Sequence, residues 1–186
     1  YGGRLRVMDG AGNVIADKID PAEYHEHFGE ATEDWSYLKF PYYKPFGYLK
    51  GMYRVGPLAR VNICDYIDTP LAEGERKLFK AIAGEAETVN NSFYYHYARL
   101  IEILYSVEKI ETLLNDPAIL GRNIRARAMI NQTHGVGASE APRGTLFHDY
   151  RVTDDGLLQE VNLVIATAQN NLAMNATVLK IAREWI

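Results

Sequence analysis

Ser92-Phe93-Tyr94-Tyr95-His96-Tyr97-Ala98-Arg99-Leu100-Ile101-Glu102-Ile103-Leu104-Tyr105-Ser106-Val107-Glu108-Lys109-Ile110-Glu111-Thr112-Leu113-Leu114 is the stretch of the chain that decides its architecture. Phe93, Tyr97, Leu100, Ile101, Leu104, Val107, Ile110 and Leu114 recur every three or four residues, the spacing that lines one face of an α-helix. Asn115-Asp116-Pro117 ends the pattern, because the residue before a proline is driven out of helical backbone. At 1.5 Å per residue the helix runs roughly 35 Å. A stripe of that length calls for other helices to cover it, so a bundle is expected at the centre of the fold. His96 lies beside the stripe and is expected to be hydrogen-bonded and partly buried. Tyr94, Tyr95 and Tyr97 read as packing residues.

Working outward, Leu5, Val7 and Met8 precede Asp9-Gly10-Ala11-Gly12-Asn13, and Val14-Ile15 follow. Two short apolar runs around a Gly/Asp/Asn turn predict a β-hairpin. Pro21 to His27 predicts a short helix with Asp20 as its cap and Pro21 at its first position. Residues 31–60 hold Trp35, Tyr37, Phe40, Tyr42, Tyr43, Phe46, Tyr48 and Tyr53, interrupted by Pro41, Pro45 and Pro57. Aromatics at that density predict irregular or short extended structure packed on something large. A helix is expected over 71–84. Beyond residue 130, Gly135, Gly137 and Gly144 break the chain. Gly144 to Tyr150 and Val161 to Ala166 read as strands joined through the turn Thr153-Asp154-Asp155-Gly156. A last helix begins near Asn171. Residues 1–186 read as one α+β domain, with no repeat, low-complexity segment or linker.

Composition narrows the class. The chain has 186 residues, 47% of them apolar, enough for a real core. Its net charge of -4 comes from 24 acidic and 20 basic residues spread along the chain. That balance lacks the basic excess of a nucleic-acid partner. No apolar run approaches the ~18 residues of a membrane span and no secretory pattern opens the chain, so a cytoplasmic protein is expected. Cys64 is the sole cysteine, which leaves no internal disulfide and no polythiolate metal site from this chain alone. With Asp65 beside it, Cys64 reads as a small buried hydrophobe rather than a reactive thiolate. The chain starts at Tyr1-Gly2-Gly3 without methionine and stops at Glu184-Trp185-Ile186 inside a helical pattern. Both ends are expected to be cuts in a longer protein.

Several constellations could carry chemistry. Gly135-Val136-Gly137-Ala138-Ser139-Glu140 begins like a dinucleotide loop, but Glu140 would repel a phosphate and no helix follows. His25 and His27 would diverge on a helix, and His134 and His148 lack metal spacing, although His148 is expected on a strand. Glu140-Ala141-Pro142-Arg143-Gly144-x-x-x-His148 is the informative segment. Pro142 fixes the backbone before Arg143 and Gly144 permits close approach after it. A guanidinium so aimed offers a rigid fork of donors that stays protonated, suited to an anion or to developing charge. The alternative is a salt bridge, with Glu140 as the partner.

The same segment resembles a signature of nickel-iron hydrogenase large subunits. Gly51-Met52-Tyr53-Arg54-Val55-Gly56-Pro57-Leu58-Ala59-Arg60-Val61-Asn62 resembles another stretch of that family. Trp35-Ser36-Tyr37-Leu38-Lys39-Phe40-Pro41-Tyr42 and Val164-Ile165-Ala166-Thr167-Ala168-Gln169-Asn170-Asn171 are similar to its soluble, NAD-coupled bidirectional branch. The likeness covers essentially the whole chain.

The resemblance implies a helical bundle with flanking β-hairpins, the large-subunit fold. It also implies reversible oxidation of molecular hydrogen at a nickel-iron centre carrying carbon monoxide and cyanide. That centre's four cysteines come from two Cys-x-x-Cys motifs, neither present here, so the chain alone would be inactive. Carried over, Arg143 is the family's catalytic arginine over the open coordination site. Pro142 and Leu146 line the pocket of the diatomic ligands, and Glu140 belongs to the same wall. Thr167 donates a hydrogen bond to a cyanide, and the Leu163 carbonyl binds magnesium. Partners would be a small subunit with iron-sulfur clusters and diaphorase subunits carrying flavin and using NAD. Two alternatives follow from the same residues. One is coupling to another acceptor such as coenzyme F420. The other is a non-catalytic relative at the quinone site of respiratory complex I.

Overall fold

The computed structural model describes residues 3–84, 88–126 and 129–186. Tyr1 and Gly2, at the expected N-terminal cut, lie outside them. β1 (Leu5–Met8) and β2 (Val14–Ile19) form the expected hairpin. The Asp9 carboxylate closes its turn by accepting from the N–H groups of Ala11 and Asn13 at 2.9 and 2.8 Å. A 3-10 turn over Pro21–Glu23 leads into α1 (Tyr24–His27). Asp20 caps that turn by accepting from the Ala22 N–H at 3.0 Å, as an N-cap aspartate does. β3 (Phe28–Glu33) and β4 (Ser36–Tyr43) make a second antiparallel hairpin. Then follow α2 (Pro57–Ile63), α3 (Pro70–Ile82) and α4 (Tyr94–Leu114). β5 (His134–Ala141), β6 (Gly144–Val152) and β7 (Leu158–Val164) form an antiparallel meander. α5 (Ala166–Gln169) and α6 (Asn171–Trp185) close the described chain.

Residues 31–60 hold most of the β3–β4 ribbon, the extended alternative expected there, and the start of α2, a helix that was not expected. Pro41 sits inside β4 opposite Glu30, which a two-stranded ribbon tolerates because each strand has a free edge for a residue without an N–H. Phe40 and Tyr43 are buried, whereas Trp35 and Tyr37 are exposed. Contrary to expectation, Gly135 and Gly137 do not break the chain. They pair with Tyr150 and His148 inside β5, an edge strand that sequence reading missed because glycine weakens the alternating pattern.

The helices meet over one apolar core. Leu58 and Val61 of α2, Ala72 and Phe79 of α3, and Ala98 and Ile101 of α4 are buried together with Val89. Each large side chain there contributes about 1.5–3 kcal/mol by leaving water. The buried face of α4 is narrower than the periodicity predicts: Leu100, Val107, Ile110 and Leu114 are each more than half exposed. α4 also caps α3 from outside, its Glu108 carboxylate accepting from the Leu71 and Ala72 N–H groups at 3.0 and 2.9 Å. That places a negative charge where the helix leaves unpaired donors. A second cluster joins Tyr24, Phe147 and Val164, with the Tyr24 and Phe147 rings stacked at 4.8 Å. It fixes the first two hairpins against the meander.

Candidate functional site

Pro142 and Arg143 form the two-residue tip between β5 and β6, since Ala141 pairs with Gly144 directly. Two-residue hairpin turns usually need positive φ at the first central position. Proline cannot supply it, and neither Pro142 nor Arg143 has a positive φ. Gly144 takes up the mismatch with φ of 134°. The chain there is tight: a Cβ on Gly144 would lie 2.8 Å from the Gly56 N, and one on Gly56, where φ is 93°, would lie 2.6 Å from the Arg143 carbonyl oxygen. Two backbones thus cross with no room for a side chain between them, which is the close approach expected of Gly144.

Arg143 is exposed at this tip. Among the described residues its guanidinium has no hydrogen-bond or ion-pair partner, so the anticipated salt bridge to Glu140 is not formed. Glu140 belongs instead to Arg60, whose Nη1 donates to its carboxylate at 2.6 Å. Glu140 also accepts from the Thr145 hydroxyl across the hairpin. Arg60 donates further to the Ala141 and Pro142 carbonyls at 2.9 and 3.1 Å. Through Nε and Nη2 it grips Glu102 of α4 in a fork at 2.6 and 2.8 Å. Burial works against the Arg60 charge, and the hydrogen bonds it donates to Glu102 and Glu140 outweigh that, leaving the guanidinium above its ordinary pKa.

A second set of bonds fixes the strip that crosses beneath the tip. The Asn170 side chain accepts from the Val55 N–H at 2.9 Å and donates to the Val55 carbonyl at 3.3 Å. The Tyr95 hydroxyl donates to the same carbonyl at 3.1 Å. Gln169, buried, accepts from the Tyr53 hydroxyl at 3.1 Å and donates to the carbonyls of Thr145 and Val164. Burial pushes the Tyr53 hydroxyl far above its ordinary pKa, so it acts as a fixed donor. Tyr95 is therefore more than a packing residue, as is Tyr97, which donates to Glu75 at 2.8 Å.

The other anticipated residues distribute around this crossing. Leu146 lies two residues into β6 from Gly144, half-buried. Thr167 is exposed on α5, which packs against the start of β6. Leu163 is opposite His148 in the β6–β7 ladder. Leu146, His148 and Leu163 therefore share the sheet face opposite the buried Phe147 and Val164. Counting strand residues, Leu163 is about 13 Å from Gly144, away from the tip. Arg60, Glu102, Tyr95 and Asn170 were not picked out as site residues, because their roles depend on partners 40 or more positions away.

Three of the histidines have local contacts within the chain. His134 pairs with Asp149 at 2.7 Å, and His148 shares a hydrogen bond with the Tyr150 hydroxyl at 2.8 Å. His96 is exposed against Phe93 rather than half-buried and hydrogen-bonded. Among the described residues no three His, Cys, Asp or Glu side chains gather as a metal site. Cys64 is half-buried, its thiol bonded weakly to the Val61 carbonyl at 3.7 Å. Burial raises its pKa, the opposite of what a metal thiolate needs. A cavity of about 380 Å³ between the first hairpin and α2, lined by Met8, Phe28, Tyr53, Leu58 and Phe147, does not include Arg143.

The α+β scaffold thus presents an unpartnered arginine from a clamped hairpin tip, beside a cluster of packed helices. The profile of the nickel-dependent hydrogenases matches residues 9–178, and the chain belongs to that family. It is 41% identical to a vhu F420-non-reducing hydrogenase subunit of Methanococcus voltae over 98% of its own length and 43% of that protein's. It is 41% identical to the beta subunit of the NAD-reducing hydrogenase HoxS of Cupriavidus necator, over 100% of its length and 38% of that protein's. The crystal structure of an NAD+-reducing [NiFe]-hydrogenase in the H2-reduced state superposes with a TM-score of 0.87 at 44% identity, covering 96% of this chain and 39% of that one. The Ni-Fe-Se hydrogenase of D. vulgaris Hildenborough shares the fold, with a TM-score of 0.56 at 22% identity. The chain therefore spans about two fifths of the length of these relatives. The expected fold class and family both hold.

Proposed function

We propose that residues 1–186 are an internal domain of a hydrogenase large subunit that reversibly oxidises molecular hydrogen and passes the electrons on to NAD. The carrying observation is Arg143, aimed from a tip whose backbone is held on both sides while its guanidinium stays without a partner. A charge carried on a held backbone and left unpaired is suited to stabilising the separating charges of hydrogen cleavage. That role asks less of an arginine than accepting a proton, since its pKa lies above about 12. Pro142 and Leu146 contribute apolar wall beside it, and Thr167 a hydroxyl. Glu140 holds the tip rather than facing the reaction. The Leu163 carbonyl is our candidate for a magnesium contact on a separate part of the sheet.

Nickel and iron, with their carbon monoxide and cyanide, would be held by thiolates outside these residues. The 186-residue chain alone should therefore bind no stoichiometric nickel by elemental analysis, and tight one-to-one nickel would refute this assignment. NAD coupling is supported by the likeness to the NAD-reducing HoxS protein and the NAD+-reducing structure. Diaphorase subunits with flavin, together with a small subunit holding iron-sulfur clusters, follow from it as partners. A cytoplasmic setting follows too, and no helix among the described residues is long and apolar enough to cross a membrane.

A second reading, coupling to a different acceptor, is favoured by equal identity to the F420-non-reducing protein of M. voltae. Hydrogen-dependent reduction of NAD by the intact enzyme, compared with other acceptors, decides between them. A non-catalytic complex-I-like role gives no account of an unpartnered arginine.

A further inference from the structure

We propose that Arg60 is the positioning residue for Arg143, and that it acts by keeping Glu140 occupied while tying the hairpin tip to α4. The inference rests on the reading of Arg143 given above. Arg143 has no partner among the described residues, so what the fold sets is the backbone from which it departs. Arg60 reaches every residue from Glu140 to Pro142 and anchors them on Glu102. The same short helix supplies Gly56, its N-cap, against the Arg143 carbonyl. One helix thus presses on the tip from below and grips it from the side.

The charges make the arrangement selective. Arg60 stands between two carboxylates, Glu102 and Glu140. Take away its fork, and Glu140 is left with the Thr145 hydroxyl and no cation, three residues from Arg143 in the same hairpin. Arg143 then has an internal ion pair available, which would turn it away from the reacting centre. Lysine cannot replace Arg60: a point ammonium lacks the planar fork that serves Glu102 through Nε and Nη2 while Nη1 and Nη2 reach the Ala141 and Pro142 carbonyls.

The test is a double-mutant cycle in the intact enzyme with Arg60→Lys, Arg143→Lys and both together. Turnover at saturating hydrogen, nickel content and amide exchange are read on each. Arg60→Lys should cut turnover roughly 10- to 100-fold, the scale of a misplaced reacting group, with nickel retained. In the Arg143→Lys background it should cut turnover less than about 2-fold, because its target is already gone. Amides of residues 143–145 should exchange faster in Arg60→Lys while those of α3 stay as they are. Equal losses in both backgrounds, or faster exchange throughout the chain, would overturn the proposal. Should Arg60→Lys not fold, Glu102→Gln runs the same cycle by weakening the anchor. An Arg143→Lys enzyme with full turnover refutes the functional reading itself, an outcome distinct from additivity in the cycle.

Discussion

The clamp at α2 and the tip between β5 and β6 each hold one arginine, within a single crossing of the chain. Arg60 is half-buried, and its donors go to two carboxylates and two carbonyls. Arg143 is exposed and has no partner among the described residues. The two side chains carry the same group with opposite outcomes. What separates their fates is occupancy: Arg60 points into a ring of acceptors, and the carboxylate nearest to Arg143 in sequence, Glu140, is already held by Arg60. A saturated guanidinium stabilises structure, whereas an unsaturated one held in place remains available for chemistry.

The strongest way to break this contrast is to force the crossing apart. Gly144→Ala would drive a methyl group into Val55 and Gly56 at a φ of 134°. Backbone strain and overpacking together should cost about 3–5 kcal/mol, seen as a large drop in the thermal midpoint of the intact protein. An unchanged midpoint would mean the crossing is looser than described. Gly56→Ala, against the Arg143 carbonyl at 2.6 Å, should behave alike.

How much of this was legible beforehand follows from the range of each interaction. The first hairpin, the Asp20 cap and α4 declared themselves, because turn residues and helical spacing act over a few positions. Pro142, Arg143 and Gly144 were legible for the same reason, and the close approach at Gly144 is as expected. The Arg60 grip was not, since Glu102 and Glu140 lie 42 and 80 positions away. Nothing in the local pattern shows that Glu140 prefers Arg60 over its neighbour Arg143. β5 hid behind its glycines, and the pairing of β3 with β4 behind Pro41 and a density of aromatics without clean alternation. The α4 stripe misled in the other direction: periodicity shows which face is apolar, not how much of it this chain covers.

Smaller changes sharpen the comparison. Tyr95→Phe removes one donor to the Val55 carbonyl while Asn170 keeps another. It should cost about 1 kcal/mol by thermal or denaturant unfolding, and a loss several times larger would show that Tyr95 alone holds the strip. The smallest expected effect lies away from the crossing. Arg76 and the Ile67 N–H hold the Glu73 carboxyl down at about 2, from an ordinary 4.5. A lowered folded value means that its stabilisation is complete above about 4.5 and is lost as pH falls toward 2. Glu73→Gln should therefore flatten the acid branch of the stability curve slightly in that window. A steeper acid branch in the variant would contradict the assignment.

The central claim is that Arg143 is kept unpaired for the reaction and does not hold the metals. It is tested most directly by hydrogen turnover in the intact enzyme carrying Arg143→Lys, with nickel counted in the same sample. Lysine keeps the charge and loses the fork. Turnover should fall about 10²- to 10³-fold with nickel at its wild-type content. Wild-type turnover with full nickel would contradict the account, as would loss of nickel in step with activity.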